Sequence, residues 1–236
     1  MKGKLILFPV PIGAEDFNIS LPDYNLQLLN CCHIFIVEEL RTARRFLKRA
    51  GYTTAIDDTT FYTLNEHTDH KEIINYLDGI NDGQNIGLLS EAGLPCVADP
   101  GAMITRIAQQ RGIEIMPLIG PSSLMLALMA SGLNGQSFAF NGYLPIDKTA
   151  RIQAIHKLEE RATKERQSQL FIEAPYRNNQ LLDSLIANCS PHTMICVACD
   201  LTMPTQQIIT KTAGQWKKER NNTDLHKRNT VFILGT

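Results

Sequence analysis

No run of about 18 apolar residues occurs anywhere in the 236-residue chain, which argues against a membrane-spanning helix. The short apolar stretch Leu5-Ile6-Leu7-Phe8 is broken by Pro9 and Pro11 before it reaches the length of a signal sequence. A soluble, cytoplasmic protein is expected. An excess of positive charge is also missing. The 23 Lys and Arg against 24 Asp and Glu leave a formal charge of −1, so the chain does not coat nucleic acid through bulk charge. The six cysteines supply a single CxxC, Cys196-Val197-Ala198-Cys199. It lies in an apolar run that reads as a strand, where positions three apart point to opposite faces, so no metal site is expected. There is no Gly-Lys-Ser/Thr loop, no GxGxxG, no GxSxG and no HExxH, which leaves nucleoside triphosphate, NAD, serine-hydrolase and zincin chemistry without support.

What the chain does contain is an alternation of short apolar runs with amphipathic stretches. Strands are predicted over 4–8, 34–37, 85–89 and 114–118, and helices over 24–29, 41–50, 70–80, 103–111 and 122–130. This βαβα order predicts an α/β fold whose N-terminal sheet is mainly parallel and covered on both faces. An apolar strand over 137–143 is followed by Leu144-Pro145-Ile146-Asp147, read as a domain break. After it come helices over 150–161 and 178–187 and strands over 169–173, 194–200, 206–211 and 230–234. Adjacent strands without helices between them predict a mixed C-terminal sheet. The domains are therefore expected at 1–143 and 148–236, with a ligand cleft between them. Residues 217–224 read as an exposed, mobile connection.

Ligands of parallel sheets bind beyond the carboxyl ends of the strands, and glycines and prolines gather there. They are Pro9-Val10-Pro11-Ile12-Gly13, Ser90-Glu91-Ala92-Gly93-Leu94-Pro95 running on to Asp99-Pro100-Gly101, and Gly120-Pro121-Ser122-Ser123. Small residues let a ligand approach the backbone, and Asp99 is placed to cap the helix that follows. One helix face carries Arg41, Arg44, Arg45, Lys48 and Arg49 at i, i+3, i+4, i+7 and i+8, opposite Ala43, Phe46, Leu47 and Ala50. Such a stripe is either a solvated face or a surface that follows phosphates.

Taken in order, these loops resemble the tetrapyrrole methylase superfamily, in its branch of small-subunit ribosomal RNA (cytidine-2′-O)-methyltransferases. The resemblance also rests on Glu38-Glu39-Leu40-Arg41-Thr42, Leu64-Asn65-Glu66, Ser131-Gly132-Leu133, Phe140-Asn141-Gly142-Tyr143-Leu144-Pro145 and Glu173-Ala174-Pro175-Tyr176-Arg177. It implies a homodimer of two-domain subunits that uses S-adenosylmethionine and acts on small-subunit ribosomal RNA or the 30S particle, without metal or membrane. By position it implies cofactor contacts from Val10, Pro11 and Gly13, from Glu91, Ala92, Gly93, Leu94 and Pro95, and from Ser122 and Ser123. In the second domain it implies Ile172, Glu173, Ala198, Cys199, Asp200 and Leu201. Glu66 and Glu39 are the carboxylates expected to take the ribose proton or orient the sugar, and Arg41 is the expected phosphate contact. The chain departs from the family pattern at Leu64, Glu91, Met203 and Gln206. Two alternatives therefore stay open: a cofactor- or ribosome-binding paralogue with weakened catalysis, and a methylase of a corrinoid or porphyrin.

Overall fold

The computed structural model describes residues 2–13, 16–65 and 67–236, and these form two compact units, Met1–Ser122 and Ser123–Thr236.

The first unit is built on a fully parallel sheet of five strands: β1 (Leu5–Phe8), β2 (Cys32–Val37), β3 (Thr60–Thr63), β4 (Asn85–Leu89) and β5 (Ile115–Pro117), in the order β3-β2-β4-β1-β5. Parallel strands need crossovers, and here they are helical. α1 (Asp23–Leu29) and α2 (Leu40–Arg49) cover one face, while α3 (His70–Ile73), the 3-10 turn after it and α4 (Ala102–Gln110) cover the other. Side chains alternate across the sheet. In β1, Leu5 joins Ile36, Ile86, Leu88 and Ile104 on one face, whereas Ile6 and Phe8 join Phe35, Val37, Ala43 and Leu47 on the other. Burial on both faces explains why these strands read as continuous apolar runs rather than as alternating ones.

The second unit holds the mixed sheet that was expected. Its strands are β6 (Phe138–Tyr143), β7 (Ser168–Ile172), β8 (Met194–Cys199), β9 (Gln207–Thr212) and β10 (Thr230–Gly235), ordered β6-β7-β10-β8-β9. β6 and β7 are parallel, and β10 runs antiparallel to both β7 and β8. α6 (Lys148–Lys164), α7 (Asn178–Asn188) and α8 (Ala213–Glu219) share a core with it that includes Phe171, Phe232, Ile195 and Trp216. α5 (Ser123–Ser131) packs on β8, β9 and β10.

Four local expectations change. The second compact unit begins at Ser123, where a boundary at the 144–147 break was expected, because β6 joins the second sheet and α5 packs on it. The edge strand β3 was not foreseen: its four residues are half-exposed and show no clear period. The 70–80 helix is α-helical only over α3 and then winds as a 3-10 turn over Ile74–Asp82, a stretch holding the weak helix formers Asn75, Asp78, Gly79, Asn81 and Asp82. Residues 217–224 are not a free connection. They continue α8, which Thr212 and Gln215 close with a reciprocal capping box, and the helix is pinned by the fully buried Trp216, whose Nε1 donates to Ile195 O at 2.9 Å.

Candidate functional site

The five parallel strands of the first unit end on one side of their sheet, and their loops are joined to one another there. Val10, two residues beyond β1, and Gly93, four beyond β4, exchange both backbone hydrogen bonds, at 3.0 and 3.1 Å. The Ser90 hydroxyl donates to Gly93 O at 3.0 Å and tightens the same turn. Gly93 has φ +73°, and a Cβ there would lie 3.1 Å from Ile12 Cγ2 and 3.3 Å from Pro121 O. Gly120, in the loop after β5, lies so close to Pro9 that a Cβ would come within 2.1 Å of Pro9 Cβ. These two glycines therefore bring the loops carrying Val10, Pro11, Gly13, Glu91–Pro95 and Ser122 together. The backbone N–H groups of Ala92 and Leu94 donate to no protein acceptor among the described residues. Cys96 and Ala98 hold positive φ angles of 68° and 58°, unusual for side-chain-bearing residues.

Beside these loops lies a cavity of about 540 Å3 lined by Glu38, Glu39, Asn65, His67, Thr68, Glu91, Pro100 and Met103. Glu38 and Glu39 leave the end of β2, and the turn at Asn65 leaves the end of β3. Asn65 Oδ1 accepts from His67 N at 2.9 Å, and Asn65 N donates to Thr68 Oγ1 at 2.9 Å, which fixes that wall. Burial, followed by the neighbouring Asp99 and Glu91 carboxylates, raises the Glu38 pKa above the ordinary glutamate range. Burial also raises Asp99, against two backbone N–H donors that lower it. Those donors are Gly101 N at 2.6 Å and Cys96 N at 3.2 Å. Asp99 thus closes its own turn instead of capping α4, whose first turn has no side-chain cap.

The expected proton-handling carboxylates are placed differently from one another. Glu39 caps α2, accepting from Arg41 N at 3.0 Å, and it also lines the cavity. Glu66 lies outside the described residues. Glu91 accepts from the Thr42 hydroxyl at 2.6 Å, which ties the loop after β4 to the first turn of α2. Arg41 is exposed on that turn. Sequence reasoning passed over Glu38 as a separate group. The signal was the Glu38-Glu39 doublet closing an apolar strand, but its proximity to Asp99 and Glu91 depends on the strand order.

In the second unit, Ile172 and Ala198 both pair with Val231, so the ends of β7 and β8 flank the start of β10. This brings Ile172, Glu173, Ala198, Cys199, Asp200 and Leu201 to one end of that sheet. Two of their carboxylates already have partners. Glu173 Oε1 accepts from Arg177 Nη2 at 2.5 Å and from Ala174 N at 2.7 Å, and Asp200 Oδ2 accepts from Arg228 Nε at 2.7 Å and from the Thr205 hydroxyl at 3.0 Å. Ala198, Cys199 and Leu201 are buried. Ser123 begins α5.

Residues 26–216 match the family model for tetrapyrrole (corrin/porphyrin) methylases. The chain is 28% identical over 225 residues to the ribosomal RNA small subunit methyltransferase I of Escherichia coli O157:H7, covering 94% of this chain and 74% of that protein. It is 30% identical over 223 residues to the protein of the same name from Halalkalibacterium halodurans, covering 92% and 72%. The fold resembles the crystal structure of the methyltransferase CobJ, with TM-score 0.65, 17% identity, and 99% and 94% of the two chains covered. It also resembles uroporphyrin-III C-methyltransferase from Thermus thermophilus complexed with S-adenosylhomocysteine, with TM-score 0.60, 14% identity and coverage of 99% and 97%.

Proposed function

Because the chain belongs to the tetrapyrrole (corrin/porphyrin) methylase family, we propose that it is an S-adenosylmethionine-dependent methyltransferase that 2′-O-methylates a cytidine ribose in small-subunit ribosomal RNA. The names of its curated relatives support the acceptor. The observation that carries the reading is the acid-lined cavity beside the stitched loops of the first sheet.

The residues present suit the cofactor. Gly93 leaves open the space that a Cβ would fill against Ile12 and Pro121 O, and the Ala92 and Leu94 N–H groups are free to donate to a polar ligand edge. Val10, Pro11, Gly13, Glu91–Pro95 and Ser122 would hold it in the first unit. In the second unit Glu173 and Asp200 already serve Arg177 and Arg228. When bound, S-adenosylmethionine supplies a methyl group on cationic sulfur, open to in-line attack by an oxygen nucleophile.

A ribose hydroxyl is a weak nucleophile until its proton is taken. Glu38 fits that task best: it lines the cavity, and a carboxylate whose pKa is raised is the better proton acceptor once ionised. Glu39 and Asn65 line the same cavity and would orient the sugar, with Glu66 contributing from the adjoining position in sequence. We also read the protein as a homodimer working on the 30S particle in the cytoplasm.

The test is methyl transfer. Purified protein with labelled S-adenosylmethionine should convert cytidine to 2′-O-methylcytidine in small subunits from a strain lacking the mark, detected by mass spectrometry of nucleosides. Cofactor binding without transfer would sink the enzymatic reading and leave a binding-only paralogue. Sedimentation equilibrium tests the dimer.

A further inference from the structure

The cavity presents a difficulty for the acceptor it is proposed to take. Glu38, Glu39 and Glu91 line it, with Asp99 beside Glu38, and a phosphate backbone approaching such a cluster is repelled. The first unit as a whole is acidic, with 15 Asp and Glu against 10 Lys and Arg among residues 1–122. Five of those ten cations stand on the ten residues of α2. That helix starts directly after Glu39, so the cationic stripe begins at the rim of the acidic cavity and leads away from it.

Arg41, Arg44, Arg45, Lys48 and Arg49 are all exposed, while Ala43 and Leu47 anchor the opposite face in the core. Two of the arginines lie over aromatic rings: the Arg44 guanidinium is 5.6 Å from the Phe61 centroid, and that of Arg49 is 5.1 Å from the Phe17 centroid. This restricts two long side chains on an otherwise exposed helix face. No carboxylate forms an ion pair with Arg41, Arg44, Arg45 or Lys48 among the described residues. A merely solvated helix face would more often interleave the two signs, as Glu160 and Lys164 do on α6. From Arg41 to Lys48 the stripe rises roughly 10 Å at about 1.5 Å per residue, long enough for two or three consecutive phosphates.

We infer that the exposed face of α2 is the phosphate-backbone contact for the single-stranded RNA on one side of the target nucleotide, holding the polyanion against the repulsion of the acidic cavity. This rests on the RNA acceptor proposed above. The stripe carries no base-reading groups beyond its cations, so it positions the strand and contributes affinity rather than sequence choice. Thr42, on the same helix, donates to Glu91 in the loop after β4. Strand binding on α2 therefore bears directly on the loop proposed to hold the cofactor.

The experiment compares Arg45→Gln/Lys48→Gln with Lys157→Gln/Arg161→Gln. The second pair removes the same charge from exposed positions on α6. Among the described residues neither Arg45 nor Lys48 contacts a ring or a carboxylate, so the α2 pair should fold, and circular dichroism together with calorimetric S-adenosylmethionine binding checks that it does. Binding of a short fluorescein-labelled single-stranded RNA is measured by anisotropy across a salt series. The α2 pair should weaken binding at least tenfold at low salt and flatten the slope of log Kd against log salt by about 1.4, since each phosphate left without its cation accounts for about 0.7. The α6 pair should leave the slope unchanged. An unchanged slope in the α2 pair, or an equal change in both pairs, overturns the inference; a stripe that reads an acidic protein surface instead gives the first of these results. Failure of the acceptor assignment looks different. It would appear as absent methyl transfer by the unaltered protein, whatever the salt slopes of the variants.

Discussion

Replacing Gly93 by alanine tests the stitched loops most directly. The residue holds φ +73°, where an L side chain costs roughly 1–2 kcal/mol. The added methyl would also meet Ile12 Cγ2 at 3.1 Å and Pro121 O at 3.3 Å. The first neighbour is the branch methyl of a β-branched side chain, which moves only by turning about χ1, and the second is backbone and yields only if the loop moves, at roughly a further 1–2 kcal/mol. Gly112→Ala supplies the comparison, because Gly112 has φ +62° with nothing within 4 Å of the added Cβ and lies after α4, outside the ligand loops. Urea denaturation should therefore show a loss of about 1–2 kcal/mol for Gly112→Ala and about 2–4 kcal/mol for Gly93→Ala. Calorimetry should show S-adenosylmethionine affinity unaffected by Gly112→Ala and reduced on the order of tenfold or more by Gly93→Ala, since about 1.4 kcal/mol of weakened binding is a factor of ten. Equal stability losses in the two variants, with cofactor affinity intact in both, would refute the argument that the Val10–Gly93 bridge shapes the ligand site.

Glu38 should set the acid limb of the pH–rate profile, with activity rising as pH passes a value above the ordinary glutamate range, and Glu38→Gln should remove that limb. The folded-state pKa is raised, so the unfolded chain ionises first and stability falls as pH climbs from the unfolded value through the folded one. Glu38→Gln should accordingly gain in relative stability over that window, measured by urea titration; a gain on acidification would contradict the sign. In the second unit, Glu173→Ala strands the Arg177 guanidinium, whose side chain is 17% exposed beside a carboxylate only 2% exposed, and should cost about 3–5 kcal/mol in urea, most of it recovered by Glu173→Leu/Arg177→Met. Thr212→Ala opens the capping box of α8 and should lower stability by about 1 kcal/mol, read as a shift in thermal midpoint without loss of cofactor binding.

Much of this organisation is written in local pattern. Residues 5–8, 34–37 and 86–89 are apolar on both faces because both faces are covered, and their alternation with helices is enough to call for a parallel sheet. The stripe on α2 is likewise visible in residue spacing, because a helix converts intervals of three and four directly into a face. Position is harder to read than type. The Lys217–Asp224 stretch is mostly exposed, as its composition suggested, yet Lys217–Glu219 end α8, which Trp216 and the Thr212–Gln215 box anchor, and a 3-10 turn follows over Arg220–Asn222. The edge strand β3 gave too short and too polar a signal.

Apart from β3, the succession of strands and helices, the glycine and proline loops at the strand ends and the one-sided charge of α2 are legible along the chain, because each depends on neighbours a few positions away. That β4 lies between β1 and β2 is settled in three dimensions alone. That placement joins Val10 to Gly93 and sets Glu38 near Glu91 and Asp99. Strand order is chosen by the packing of whole helices against the sheet, so the contacts that raise a carboxylate's pKa come from residues some fifty positions apart, and no local pattern carries them.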